Sequence, residues 1–431
     1  MGIINNELFP GYSIGDFNPV RIMGVINLSP ESFHKNSFVP NDSLIEKLKN
    51  FIKNGASIID IGARSTAPWS DVISVEEEKK RILNALNLLS KHFPKDIILS
   101  FDTQYAEIAK LGLEFAKKNE IRSIINDISS FKTDPKMIDI ICEYGCPIVL
   151  MATENKPGDR KSIDEILKAL HATITQLRDK GYDTSKVIVD PGIGKWISEK
   201  TYEYDLAILD SIESFRCFRN PILIGLSRKS FIGSILDESD TDKREIGSLA
   251  ATSIAVYNGA HIIRTHDVDQ KVKQTIKVAT SIRKKPIISK ADSHICEIID
   301  PFTNPLGADY FLRSYGVFPG GSKIMNQKMI NKLIVLHNIT APAALILKQE
   351  LLSRGGDAAT HSQVISTEWK KTEEIFDVVL IGTIGQFKSL IKKLKGQHLK
   401  LDIIASLIEN TLKKEKEAKI RYSKTFEGYS K

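Results

Sequence analysis

Short apolar runs rich in β-branched residues alternate with longer amphipathic segments eight times along the chain. The runs are RIMGVINL (21–28), SIIDIGA (57–63), DIILSFD (96–102), SIINDIS (123–129), CPIVLMA (146–152), VIVDPGI (187–193), PILIGLS (221–227) and HIIRTH (261–266). Each is close to continuously apolar, as a strand buried on both faces has to be. The intervening segments, such as SVEEEKKRILNALNLLSKHF (74–93), carry apolar residues at i, i+3 and i+4 and predict helices. Eight strand–helix units in about 270 residues predict an α/β fold of the (β/α)8 TIM-barrel kind. A doubly wound sheet would need a glycine fingerprint after the first strand, and MGVINLSPESF contains none.

After Lys285 the alternation stops. SKADSHICEIIDPFTNPLG (289–307) mixes polar residues with Pro and Gly and reads as a linker. A second, smaller mixed α/β unit follows, with strands at 329–337 and 376–383 and helices at 341–356 and 385–396. Gly355-Gly356 suits a left-handed helix end. The expected organisation is a barrel over 1–288, a linker over 289–305 and an extra α/β domain over 306–431.

Composition narrows the classes. A chain of 431 residues exceeds one ordinary core and suits two domains. Its apolar 42% and charged 26% are those of a globular protein, and no apolar run reaches bilayer length. The first residues lack a basic n-region and an apolar h-region, so a cytoplasmic location with no membrane partner is expected. Cys142, Cys146, Cys217 and Cys296 are too few and scattered for a disulfide framework or a zinc site. The net charge of +7 comes without the aromatic interleaving of nucleic-acid grooves, so no nucleic-acid partner is expected. The Lys-rich stretch from Lys413 to Lys424 reads as a solvated terminal helix.

Polar residues recur where a barrel gathers its chemistry. Asn27, Asp102, Asn126, Asp190, Lys229 and His266 fall at or just after strand C-termini, which converge on one mouth. A single carboxylate there is commonly a helix cap or turn former, but six polar residues at equivalent ends exceed what capping requires. Arg264 interrupts an apolar run, where an unpaired charge would be costly. Asn27 could equally cap the loop that it opens.

The segments IMGVINLSPESF (22–33), GASIIDIGARST (55–66), SFDT (100–103), IIND (124–127), DPGIG (190–194), IGLSRKSFIG (224–233) and IIRTHDV (262–268) resemble, in order and spacing, the motifs of the dihydropteroate synthase family. The resemblance implies a transferase. It would condense 6-hydroxymethyl-7,8-dihydropterin pyrophosphate with an aryl amine, para-aminobenzoate or a related arene, and release pyrophosphate with the help of Mg2+. It implies that Asp102, Asn126, Met151, Asp190, Lys229 and Arg264 line the pterin site. Asn27, Thr66, Ser230, Arg264 and His266 would serve the pyrophosphate and arene, with Asn27 approaching the metal. A homodimer through barrel helices would follow by analogy alone.

Two segments depart from the family pattern. Where the family continues Ser-Phe-Ser-Asp-Gly-Gly, this chain has Ser32-Phe33-His34-Lys35-Asn36-Ser37. Where the family has Glu-Ser-Thr-Arg-Pro-Gly, it has Arg64-Ser65-Thr66-Ala67-Pro68-Trp69. Ala67 cannot supply the family's arginine charge, which leaves Arg64 and Lys35 as candidate determinants of acceptor choice. Three alternatives stay open: a larger, phosphorylated arene such as that of methanopterin biosynthesis; an ordinary acceptor with Arg64 replacing the lost arginine; or a pterin protein without this chemistry, either a methyltransferase or a non-catalytic binder.

Overall fold

A computed structural model describes residues 2–30, 38–65, 73–292, 294–366 and 374–418. It opens with an antiparallel pair, β1 (Asn5–Phe9) and β2 (Tyr12–Gly15). Eight parallel strands follow: β3 (Arg21–Asn27), β4 (Ile58–Gly62), β5 (Ile98–Asp102), β6 (Ser123–Asp127), β7 (Ile148–Met151), β8 (Val187–Asp190), β9 (Leu223–Gly225) and β10 (Ile262–Thr265). The sheet order is β8-β7-β6-β5-β4-β3-β10-β9. Its two ends meet through a parallel bridge between Val189 and Ile222, with Val189 N donating to Pro221 O at 2.9 Å. The expected barrel is therefore present and closed.

The helices between these strands are α1 (Asn41–Lys53), α2 (Val75–Leu89), α3 (Ala106–Lys118), α4 (Met137–Tyr144), α5 (Ile163–Asp179), α6 (Tyr202–Asp210), α7 (Ser230–Leu236), α8 (Glu245–Tyr257) and α9 (Gln270–Ile282). Local sequence sets several of their ends. Ser74 caps α2, Asp269 caps α9, and Ser162 with Glu165 forms a reciprocal capping box on α5. Gly145, at φ 57°, closes α4 in the left-handed conformation.

One apolar residue from the beginning of each strand meets at the N-terminal end of the barrel: Met23, Ile58, Ile98, Ile124, Val149, Ile188, Leu223 and Ile262. Leu8 and Ile14 of the β1–β2 pair join this cluster and seal that end. Beside the seal lies a buried ionic cluster. Asp16 accepts from Arg216 at 2.6 and 2.9 Å, from Arg283 at 2.7 Å, and lies 3.2 Å from His261 Nε2. Burial opposes ionisation of Asp16, yet the bonds to His261 and Arg216 hold its carboxyl well below the usual range. With this end filled, the opposite mouth is the end left for a ligand among the described residues.

The region read as a linker contains two paired antiparallel strands, β11 (Ile287–Ala291) and β12 (His294–Ile298). Their β-branched isoleucines favour extended pairing over a coil. The chain divides into compact units at Met1–Ile299 and Asp300–Lys431.

The second unit begins with α10 (Pro305–Ser314) and α11 (Pro319–Met325). It continues with β13 (Asn331–Thr340), α12 (Ala341–Leu352), β14 (Asp357–Thr360), α13 (Gln363–Ser366), β15 (Ile375–Thr383), α14 (Ile384–Leu394) and α15 (Leu401–Ala418). Its antiparallel sheet has the order β13-β15-β14. Leu336, Val378 and Leu380 of that sheet share a core with Leu347, Phe387, Leu390 and Ile408 of the helices. Thr383 and Gln386 form a capping box that starts α14 directly from β15.

Candidate active site

The C-terminal strand ends bring the expected pterin residues together. Asp102 ends β5, Asn126 lies one residue before the end of β6, Met151 ends β7 and Asp190 ends β8. Arg264 lies within β10, and Lys229 immediately precedes α7.

Arg264 is the hub. Its Nε donates to Asp60 Oδ2 at 2.7 Å and an Nη to Asp102 Oδ2 at 2.5 Å. Asn126 Nδ2 donates to the same Asp60 oxygen at 3.1 Å. Asp60, inside β4, is fully buried and was not among the residues singled out from sequence. Within SIIDIGA it sits two residues before the strand end and passes for part of an apolar run; its signal was a charge at a position that has to be buried. Oδ1 of Asp60 and Oδ1 of Asp102 are both buried without a hydrogen-bond partner. Such acceptors are costly unless a ligand supplies donors.

Two carboxylates share one guanidinium in a buried setting, and Asp102 and Arg264 are both shifted. Burial, reinforced by the charge of Asp60 and opposed by Arg264, pushes the Asp102 carboxyl up to about 7. Burial would lower the Arg264 guanidinium, but Asp60 and Asp102 outweigh it and keep the residue charged. Arg264 is thus anchored to carboxylates, so its role as an anion binder would have to be shared with this pairing.

The opposite wall is built from Asp190 and Lys229. Asp190 Oδ1 accepts from Gly192 N at 2.8 Å. Lys229 Nζ donates to the carbonyl of Ile193. Burial lowers the Lys229 ammonium to about 8 despite the attraction of Asp190. Burial likewise raises Asp190, against the pull of Lys229. Behind them Lys200, itself fully buried, donates to Gly192 O at 2.5 Å and pairs with Asp205 at 3.1 Å. Asp205 accepts from Gly194 N at 2.9 Å. This pair fixes the backbone that positions Lys229. Met151 is buried beside Gly192 and supplies an apolar wall.

The remaining expected residues are placed as follows. Asn27 ends β3, and its side-chain oxygen accepts from Ser29 N at 3.0 Å and from the Ser29 hydroxyl. Ser230 opens α7 and lines a cavity of about 240 Å3 with Lys195, Ser198, Thr201 and Glu203. His266 follows β10 and is half-buried. Arg64 donates to Glu78 at 2.7 Å, to Ile73 O at 2.5 Å and to Ser74 O at 3.1 Å, and it stacks over Tyr105. It ties its own segment to α2 instead of presenting a free cation. Lys35 and Thr66 lie outside the described residues. Among the described residues no helix is long and apolar enough to cross a membrane, and no group of three or more His, Cys, Asp or Glu could hold a metal.

The chain is similar to known proteins. The pterin-binding enzyme family matches residues 23–266, more than half of the chain. The dihydropteroate synthase of Synechocystis is 32% identical over 269 residues, which span 61% of this chain and 89% of that protein. That of Bacillus subtilis is 33% identical over 250 residues, or 58% of this chain and 84% of that protein. A solved Coxiella burnetii dihydropteroate synthase in complex with pteroic acid superposes with a TM-score of 0.56 at 29% identity, covering 65% of this chain and 98% of that one. The Asp190–Lys229 wall, the Asp60–Arg264–Asp102 hub and this likeness lead to one conclusion: the chain belongs to the pterin-binding enzyme family and is a transferase of the dihydropteroate synthase type.

Proposed function

We propose that the barrel condenses 6-hydroxymethyl-7,8-dihydropterin diphosphate with an aryl amine. In that reaction the methylene C–O bond breaks and the diphosphate leaves with the bonding electrons. The amine nitrogen forms the new C–N bond and then releases a proton. The observation that carries this reading is the facing pair of walls at the mouth, each with polar groups suited to one heterocycle. Asp190 accepts the donors of the aminopyrimidine edge, Asn126 adds an amide beside it, and Lys229 donates to ring acceptors. Met151 packs on the ring face. Asp102, held by Arg264, would supply negative charge for the positive charge that develops as the leaving group departs.

The residues fit a loosely held Mg2+. Asn27 offers one amide oxygen at the mouth, where Ser29 already donates to it, so most ligands would come from the diphosphate and water. The ion would supply neutralisation of the leaving group. Asn27, Ser230 and His266 would serve the diphosphate and acceptor. With Arg64 committed to Glu78, an acceptor anion depends on the segment containing Lys35 and on the rim around Ser230. Both para-aminobenzoate and a phosphate-bearing arene satisfy that chemistry. A cytoplasmic enzyme on small-molecule substrates is part of the same reading. So is a homodimer, supported by exposed Ile254 and Tyr257 on α8 and Val278 and Ile282 on the adjoining α9.

The test is pterin binding by calorimetry to wild type, Asp190→Ala and Asn126→Ala. Each substitution is expected to cost on the order of 2–4 kcal/mol, the scale of buried hydrogen bonds with charged or amide partners. Near-wild-type affinity in both variants would remove the pocket assignment.

A further inference from the structure

Trp196 is the side chain that the functional reading leaves without a role. It lies between β8 and α6, and its indole Nε1 is buried with no hydrogen-bond partner. A buried N–H without an acceptor is unfavourable, and buried tryptophans ordinarily find one.

Packing fixes the ring. A β carbon on Gly158 would fall 2.1 Å from the indole, so the ring rests directly on that backbone in the connection between β7 and α5. Lys229 Nζ lies 5.7 Å from the ring centre. Gly194, at φ 129°, adopts a conformation open only to glycine. A β carbon there would lie 3.3 Å from Lys229 Nζ and 3.4 Å from Trp196 Nε1. Both donors therefore border Gly194, and neither nitrogen can accept a bond from the other.

Pterin chemistry indicates what belongs beside them. In the ring the carbonyl oxygen neighbours an N–H, which in turn neighbours the exocyclic amino group. Asp190 is the acceptor for those two donors, and Lys229 is the cation next to Asp190. The carbonyl is thereby directed to the Lys229 side, and its oxygen has two lone pairs.

We propose that Trp196 donates its indole N–H to the pterin carbonyl oxygen, sharing that atom with Lys229. Trp196 is then a specificity-determining residue, because a site built to hydrogen-bond an oxygen rejects ligands that lack it. This inference rests on the pterin-site reading given above.

The experiment compares 6-hydroxymethylpterin with its 4-deoxy analogue, which loses the neighbouring ring N–H together with the oxygen, so calorimetry reads the change from wild type to Trp196→Phe within each ligand, with unfolding curves to verify the fold. Trp196→Phe is expected to weaken the oxo ligand about tenfold, while the deoxy analogue changes by less than about twofold. A second measurement leaves Trp196 in place. In a Trp69→Phe/Trp369→Phe background with 15N-tryptophan, the indole proton resonance is expected to move downfield with the oxo ligand and not with the analogue. Unchanged oxo-pterin affinity, equal losses for both ligands, or an indole resonance indifferent to the oxygen would overturn the inference and leave the pterin site standing. Failure of wild type to bind either ligand would remove the pterin reading and this inference with it.

Discussion

Under the proposed function, Asp102 couples catalysis to stability. Its carboxyl ionises near 3.8 in an unstructured chain and near 7 in the folded barrel, so between those values the folded state holds an extra proton. The stability from that proton is complete below about pH 4 and is lost as pH rises to about 7. Asp102→Asn is expected to remove this contribution, while the other buried groups keep theirs. The melting temperature of the variant minus that of wild type is expected to rise on the order of 5 °C between pH 4.5 and 8. Turnover runs the other way. Only ionised Asp102 can stabilise a cation, so wild-type activity is expected to fall as pH drops through about 7. Asp102→Asn is expected to lower kcat by about 10²-fold, the scale of one preorganised electrostatic group. A pH–rate profile of wild type together with thermal melts of the variant checks both signs.

At the scale of elements, the segment 191–201 decides whether Lys229 is correctly placed. Lys200→Met would leave Asp205 as a buried carboxylate without its cation and Gly192 O without its donor. The expected loss is about 3–5 kcal/mol of unfolding free energy, with a smaller loss in Lys200→Met/Asp205→Asn, measured by denaturant titration. Weaker pterin binding should accompany it, because the backbone under Lys229 is released. The strands themselves were legible in the sequence because burial on both faces leaves continuous apolar runs, and their polar last residues stood out against that background. Asp60 did not stand out, since two residues from the strand end it reads as part of the run until the Arg264 pairing is seen. Trp196 was missed because its meaning depends on Gly158 and Gly194, which are near it only after folding. Arg64 illustrates the converse: the sequence suggested a free cation, and the fold places Glu78 one turn into α2 to receive it.

For the whole molecule, the barrel unit closes its own N-terminal end with Leu8 and Ile14 and holds every described residue of the proposed pterin site within Met1–Ile299. A chain ending at Ile299 is therefore expected to fold and to keep wild-type pterin affinity to within about threefold, under 1 kcal/mol. Calorimetry on that truncated chain checks it, and lost binding would mean that Asp300–Lys431 contributes to the site. Self-association is tested separately. Val278 and Ile282, four residues apart on one face of α9, are 64% and 66% exposed. Val278→Asp/Ile282→Asp is expected to convert a dimer to a monomer in light scattering without loss of pterin binding.

The most direct measurement follows diphosphate release from 6-hydroxymethyl-7,8-dihydropterin diphosphate with Mg2+, with para-aminobenzoate and with a phosphate-bearing aryl amine, and identifies the product by mass. We expect diphosphate and a C–N coupled pterin adduct to appear in equal amounts with at least one of the two amines, and neither to form in Asp190→Ala. Tight pterin binding with no diphosphate release for either amine would contradict the account and leave a pterin-binding barrel without transferase chemistry.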